Sequence, residues 1–414
     1  MDPVTLGMAK SDAAKKYKAQ ATPTVATRIF GGRMGTFNNT TEQTFQVTAE
    51  LAQHFDAIRI IFANSDTGFS HSIRQAAVSV MGSKADLNNS AGTWTLATGR
   101  NGMGRVSAEL SPGTGRIAYT LTDWIPISSV PRTDGGTKPL VVVRAYMKAV
   151  ATLPVYGDGI DDFTNWATRT DGRIWAARHQ TGLHTGTTTG FTSTTNQSQS
   201  PIVGIQYLAR GKVITVAAVG DSITDGRGGY FGQGFIMPAT EALTDPDGTA
   251  YEYMNCGWSG QSMRVFAERA IDILQSEIKP DVLVLPAGSP NDIPGTIAAA
   301  DITALRTQRA RVVAEAKRAS VPIVLWTWLP SNTAVKNYGA TDSLRTAYNT
   351  EVLAQAGRGL IVADTATAVS GVTSGGQVQM LPESTTDGIH PNPAGNTTLS
   401  GVVKPAIREA ARAL

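Results

Sequence analysis

The chain has 414 residues, 41% hydrophobic and 17% charged, with a formal net charge of +3. That composition excludes a disordered chain and describes a globular protein too long for one ordinary core, so two domains are expected. The small net charge argues against an extended nucleic-acid surface, and no apolar run is long enough to span a bilayer.

Residues 1–23 are polar and charged and read as an arm or short helix. They lack the apolar stretch of a signal peptide, so cytoplasmic synthesis is expected, compatible with later release or assembly into a particle. Residues 4–10 are similar to leader segments of phage tail and surface-attachment proteins.

From about residue 24 the hydrophobic period is two. Residues 44–49, 57–63, 76–81, 94–98, 116–121 and 140–146 are short β-type runs, punctuated by Asn38-Asn39, Asn88-Asn89, Gly102 and Gly135-Gly136. Several short strands at this spacing, with no helical pattern between them, predict an antiparallel sandwich over 24–160. Residues 163–201 are rich in Thr, Ser, Gly and Gln and read as a linker or long surface loop. Trp166, Trp175 and Phe191 are unusual for a pure linker, so part of it is expected to pack on a domain. The expected division is an arm at 1–23, a β-sandwich-like domain at 24–160, a linker region at 161–210 and an α/β domain at 211–414.

After Gly211 strands alternate with helices. Strands are predicted at 214–219, 251–256, 282–285, 322–326 and 360–363, and helices at 231–243, 262–278, 297–319, 342–356 and 392–414. This order predicts a parallel sheet with helices on both faces, joined by right-handed crossovers. The single cysteine, Cys256, cannot form an intrachain disulfide and fits a small buried hydrophobe at a strand end.

The first strand of this half ends abruptly at Gly220-Asp221-Ser222. A serine at the carboxyl end of such a strand sits where open α/β sheets bind ligands. Near the other end, Asp387 stands three residues before His390, close enough for one loop to hold both. A histidine oriented by an acid is the base that a serine hydroxyl needs to become a nucleophile. His390 is the only histidine after residue 211; His54, His71, His179 and His184 precede it. Asp221 and Asp225 compete with Asp387 for the orienting role.

Gly220-Asp221-Ser222-Ile223, Gly260, Asn291 and Asp387-x-x-His390 together resemble the four signature blocks of the GDSL, or SGNH, hydrolases, in that family's order. The resemblance implies a flavodoxin-like three-layer α/β/α domain and ester hydrolysis through an acyl-enzyme. It assigns Ser222 as nucleophile, His390 as base, Asp387 as orienting acid, and the Ser222 amide, the Gly260 amide and the Asn291 side chain as the oxyanion hole. One departure stands out. The family's third block reads Gly-x-Asn-Asp, whereas here Gly288-Ser289-Pro290-Asn291-Asp292 carries one extra residue.

Trp258, Trp326 and Trp328 lie near strand ends on the expected rim and are candidate walls of a sugar or acyl pocket. Gly226-Arg227-Gly228-Gly229 lacks the spacing of a dinucleotide or P-loop fingerprint, and no histidine–carboxylate cluster has metal spacing, so neither cofactor nor metal is expected. The leading expectation is a serine esterase removing O-acetyl groups from carbohydrate, its partner an acylated small molecule or polysaccharide. A lipase or arylesterase on small acyl esters is the nearer alternative. A non-catalytic tail or surface adhesin retaining the fold is the alternative of another class.

Overall fold

A computed structural model describes residues 24–31, 34–37, 41–64, 71–84, 94–99, 106–108, 118–147, 153–156, 175–185, 200–226, 234–357 and 359–414. The 1–23 arm, the turns expected at 38–39, 88–89 and 102, Trp166, Phe191 and Arg227-Gly228-Gly229 lie outside these residues.

The strands of the first half are β1 (Thr24–Ile29), β2 (Met34–Phe37), β3 (Gln43–Glu50), β4 (Phe55–Asn64), β5 (His71–Met81), β6 (Thr95–Leu96), β7 (Val106–Ala108), β8 (Ala118–Leu121), β9 (Leu140–Met147), β10 (Leu153–Tyr156), β11 (Trp175–Thr181) and β12 (Ile202–Ala209). The second half has β13 (Val213–Gly220), β14 (Ala250–Gly257), β15 (Val282–Pro286), β16 (Ile323–Trp326), β17 (Leu360–Ala363), β18 (Ser370–Ser374) and β19 (Gln377–Met380). Its helices are α1 (Ser222–Asp225), α2 (Ile236–Glu241), α3 (Met263–Gln275), α4 (Ala299–Arg318), α5 (Asp342–Leu353), α6 (Thr365–Ala368) and α7 (Pro393–Arg412).

The principal sheet is nine-stranded, in the order β17-β16-β15-β13-β14-β1-β12-β4-β8. The first five of these run parallel to one another. Numbered along the chain they follow the flavodoxin order 2-1-3-4-5. Ala217, Val219, Leu283 and Leu285 point to one face and pack on Phe266 and Ile273 of α3, Leu305 and Val312 of α4 and Val352 of α5. Val216, Ala218, Val282 and Val284 point to the other and meet Ile236 and Met237 of α2 and Leu399, Val403 and Ile407 of α7. Strands buried on both faces account for the unbroken apolar runs.

The β-rich half continues this sheet. β1 joins β14 in parallel at Ile29–Met254 and pairs antiparallel with β12, which pairs with β4 and then β8. A second, six-stranded antiparallel sheet, β11-β3-β9-β5-β6 with β7 also on β5, covers one face of this extension. Phe45, Val47, Val78 and Val143 of that sheet form one core with Ile58, Ile60, Phe62, Ile205 and Tyr207. The segment expected as a linker therefore supplies two sheet strands, β11 and β12, and residues 202–209 are nearly all buried.

Candidate active site

Ser222 follows directly on β13, and Asp221 caps α1 by accepting from the Ile223 amide at 2.9 Å. Two glycines allow the turn. A Cβ on Gly220 would meet Thr224 Oγ1 at 2.0 Å, and one on Gly257 would meet the Asp225 nitrogen at 2.4 Å. Crowding, rather than a special dihedral, requires glycine at both.

His390 and Asp387 lie on the loop that enters α7, and that loop is pinned from within. Thr385 donates its hydroxyl to the His390 carbonyl at 2.7 Å and accepts from the Gly388 amide at 3.0 Å. Asp387 Oδ1 accepts from the backbone amides of Ile389 and His390 at 2.9 and 2.7 Å. Its Oδ2 lies 2.5 Å from His390 Nδ1, and His390 Nε2 lies 2.9 Å from Ser222 Oγ. Burial alone would raise the Asp387 carboxyl, yet the bonds from the His390 side chain and the two amides hold it at about 2, so it is ionised. An ionised carboxylate only accepts, which puts the proton on Nδ1 and leaves Nε2 free to accept from the serine hydroxyl. This line of contacts can ease deprotonation of an alcohol.

The three expected oxyanion donors lie at or just after the ends of three neighbouring strands: Ser222 after β13, Gly260 after β14 and Asn291 after β15. Among the described residues neither the Ser222 nor the Gly260 backbone amide has an acceptor. Gly260 has φ of 83° with open space where a Cβ would stand. Asn291 is exposed on the loop after β15 and donates through Nδ2 to the Gln261 carbonyl at 3.1 Å, which ties its loop to that of Gly260. A side-chain amide carries two N–H groups, so one remains to donate.

Trp326 and Trp328 do not wall a pocket. Both are buried, at 1% and 0% exposure. Trp326 meets the Phe235 ring edge-on, and Trp328 meets Tyr338 in the same way. Large apolar area outweighs rim position in deciding a tryptophan's place. Trp258 is half-buried beneath the Arg269 guanidinium, 4.8 Å from its ring centre. Cys256 is buried and its thiol is pushed up to about 12 by burial, so it is a packing residue.

Ser289 and Asp292 escaped sequence reasoning. Ser289 is fully buried; its hydroxyl donates to Asp221 Oδ2 and accepts from the Asn291 amide at 3.1 Å. Asp292 accepts from the Met263 amide at 2.9 Å and the Ser289 amide at 3.2 Å, which caps α3 and closes the loop. The one available signal was the extra residue before Asn291. Among the described residues no group of three His, Cys, Asp or Glu side chains could hold a metal ion.

Residues 218–397 match the model of the GDSL-like lipase/acylhydrolase family. This part of the chain belongs to that family. The matched stretch runs from β13 into α7, so the GDSL domain contains Ser222, Gly260, Asn291, Asp387 and His390. No curated protein matches the chain in sequence. Among solved structures it is similar to a GDSL-like lipase from Bacteroides thetaiotaomicron, at 21% identity over 47% of this chain and 88% of that one, with a TM-score of 0.35. It is similar to the psychrotrophic esterase EstA from Pseudoalteromonas sp., at 16% identity over 47% of this chain and 97% of that one, TM-score 0.36. A carbohydrate esterase family 3 structure from Talaromyces cellulolyticus shares 17% identity over 49% of this chain and 99% of its own length, TM-score 0.34.

Proposed function

We propose that the GDSL domain is a serine esterase that removes O-acetyl groups from carbohydrate through an acyl-enzyme. The reading rests on one observation: Ser222 Oγ lies 2.9 Å from His390 Nε2 while His390 Nδ1 lies 2.5 Å from Asp387. Ser222 Oγ attacks the ester carbonyl as its proton passes to Nε2, and the resulting oxyanion faces the Ser222 and Gly260 amides and the Asn291 side chain. The carbon–alkoxy bond breaks and the leaving alcohol takes the proton from His390. Water then adds to the acyl carbon, His390 takes its proton and returns it to Ser222, and acetate leaves.

A short acyl group fits the surroundings. Gly260 and Asn291 are exposed, and Trp326 and Trp328, two of the three tryptophans that could have formed a deep apolar wall, are core residues. Val335, beside Gly388, is the one large exposed apolar side chain among the described residues that borders the His390 loop. The appended β-rich half is the feature that favours a polymeric substrate. Release of acetate from acetylated sugars, compared with hydrolysis of longer acyl esters, tests the reading. Equal or faster turnover of long-chain esters would replace it with a lipase. Wild type no faster than Ser222→Ala on any ester would leave a binding protein.

A further inference from the structure

The chain passes from β15 to Asn291 through a tight channel. A Cβ on Gly288 would meet the Trp328 ring at 3.0 Å, and the Ala287 carbonyl accepts from the Tyr348 hydroxyl at 2.8 Å. The next side chain, Ser289, turns fully inward, and Asn291 emerges at the surface two residues later. A single buried hydroxyl thus touches two parts of the site. It donates to Asp221 Oδ2, whose other oxygen holds the Ile223 amide immediately after the nucleophile. It accepts from the Asn291 backbone amide.

The geometry points to Ser289 as a positioning residue: its hydroxyl locks the Asn291 loop to the turn that carries Ser222, setting the spacing between two donors of the oxyanion hole. This rests on the esterase reading above. The loop is one residue longer than the family's pattern, and an exposed loop end cannot hold an amide side chain in place unless something anchors it. Asp292 anchors the far side through the Ser289 and Met263 amides, and among the described residues of this loop it is the Ser289 hydroxyl that bonds Asp221. Removing it takes one donor from a buried carboxylate and the acceptor from the Asn291 amide. Oxyanion stabilisation is realised only in the transition state, so the loss belongs in kcat rather than KM.

The test uses the full chain and a short-chain p-nitrophenyl ester, with wild type, Ser222→Ala, Ser289→Ala, Ser289→Cys, Asn291→Ala and the Ser289→Ala/Asn291→Ala double variant. We expect Ser289→Ala to lower kcat about 10- to 100-fold, somewhat less than loss of an oxyanion donor itself, with KM changed by less than about threefold. In the Asn291→Ala background the same substitution should lower kcat by less than about threefold, because two residues acting through one contact are not additive. Ser289→Cys keeps the side-chain branching with a somewhat larger atom that donates weakly, and should also lose kcat; it carries the test if Ser289→Ala melts or shows an altered far-ultraviolet dichroism. A normal kcat in the folded variant, losses that multiply with Asn291→Ala, or a rise in KM alone would overturn the proposal. Activity that survives Ser222→Ala would instead overturn the esterase reading, and this proposal with it.

Discussion

Asp387 grips His390 from two directions: one carboxylate oxygen accepts from its backbone amide at 2.7 Å and the other from its Nδ1 at 2.5 Å. The first bond fixes where the residue stands and the second fixes its tautomer. Asp387→Asn should preserve the loop only in part and present an amide donor to Nδ1. The proton would then move to Nε2, which could no longer accept from Ser222. Steady-state assay should show kcat reduced by about 10⁴-fold, as expected for an inverted tautomer. Loss of less than about tenfold would mean that another acid orients the ring.

Ser222 and His390 act as a unit if the esterase reading holds. Ser222→Ala and His390→Ala should each bring ester turnover close to background, and the double variant should be little worse than either. Multiplying losses would show that the two side chains do not share a step. Melting temperatures close to wild type would confirm that the fold is intact.

Asn291 is the side-chain donor of the proposed set and is exposed, so Asn291→Ala can be made without opening a core cavity. It should cost about 10²–10³ in kcat, the usual effect of deleting one oxyanion donor. A KM effect alone would reassign Asn291 to substrate binding.

The turn that carries Ser222 and the loop that carries His390 were legible because hydrophobic period marks β13 and the entry to α7, whereas Gly260 and Asn291 were singled out only by the family resemblance. Ser289 was not, because a serine in a turn is ordinary and only the fold brings it under Asp221. Residues 202–209 were read as linker because the preceding tract is polar and blurs the start of β12. Yet Gly204 has a physical reason to be there: a Cβ would meet the Arg28 carbonyl of the neighbouring strand at 2.4 Å. The continuity of the sheet was equally hidden. It depends on β1 lying between β12 and β14, strands more than 170 residues away in the chain. Period reveals that a segment is a strand but not which strand lies beside it.

Asp292 predicts a pH dependence of stability. Burial, with Asp221 and Asp301 adding to it, pushes its carboxyl up to about 7 from the ordinary 3.8, against the opposing bonds from the Met263 and Ser289 amides. Between these values the folded chain holds a proton that the unfolded chain has released. Stability from this group is therefore present at low pH and is lost as pH rises from about 4 to about 7. Asp292→Asn stays neutral throughout and removes that component. The melting temperature of wild type should fall more steeply than that of Asp292→Asn over this range, measured by scanning fluorimetry. A flat difference between the two would contradict the assignment.

The seam between the halves makes a prediction of its own. Arg28 of β1 is 1% exposed, and its guanidinium meets Glu241 of α2 at 2.7 Å and Glu252 of β14 at 2.9 Å. Glu252 also accepts from the Tyr207 hydroxyl of β12 at 2.7 Å and the Ala52 amide at 2.8 Å. Burial works against the arginine's charge, but the two carboxylates more than offset it and raise its affinity for the proton. Arg28→Ala would take this guanidinium away from two buried carboxylates, at a cost of about 3–5 kcal/mol. Since β1 is hydrogen-bonded into one sheet with both halves, calorimetry should show a single transition moved to lower temperature. Two transitions, only one of them shifted, would mean that the halves melt independently despite the shared sheet. Adding Glu252→Gln to Arg28→Ala should recover part of the loss, because it removes one buried charge that has lost the Arg28 guanidinium and keeps a group that can accept from Tyr207.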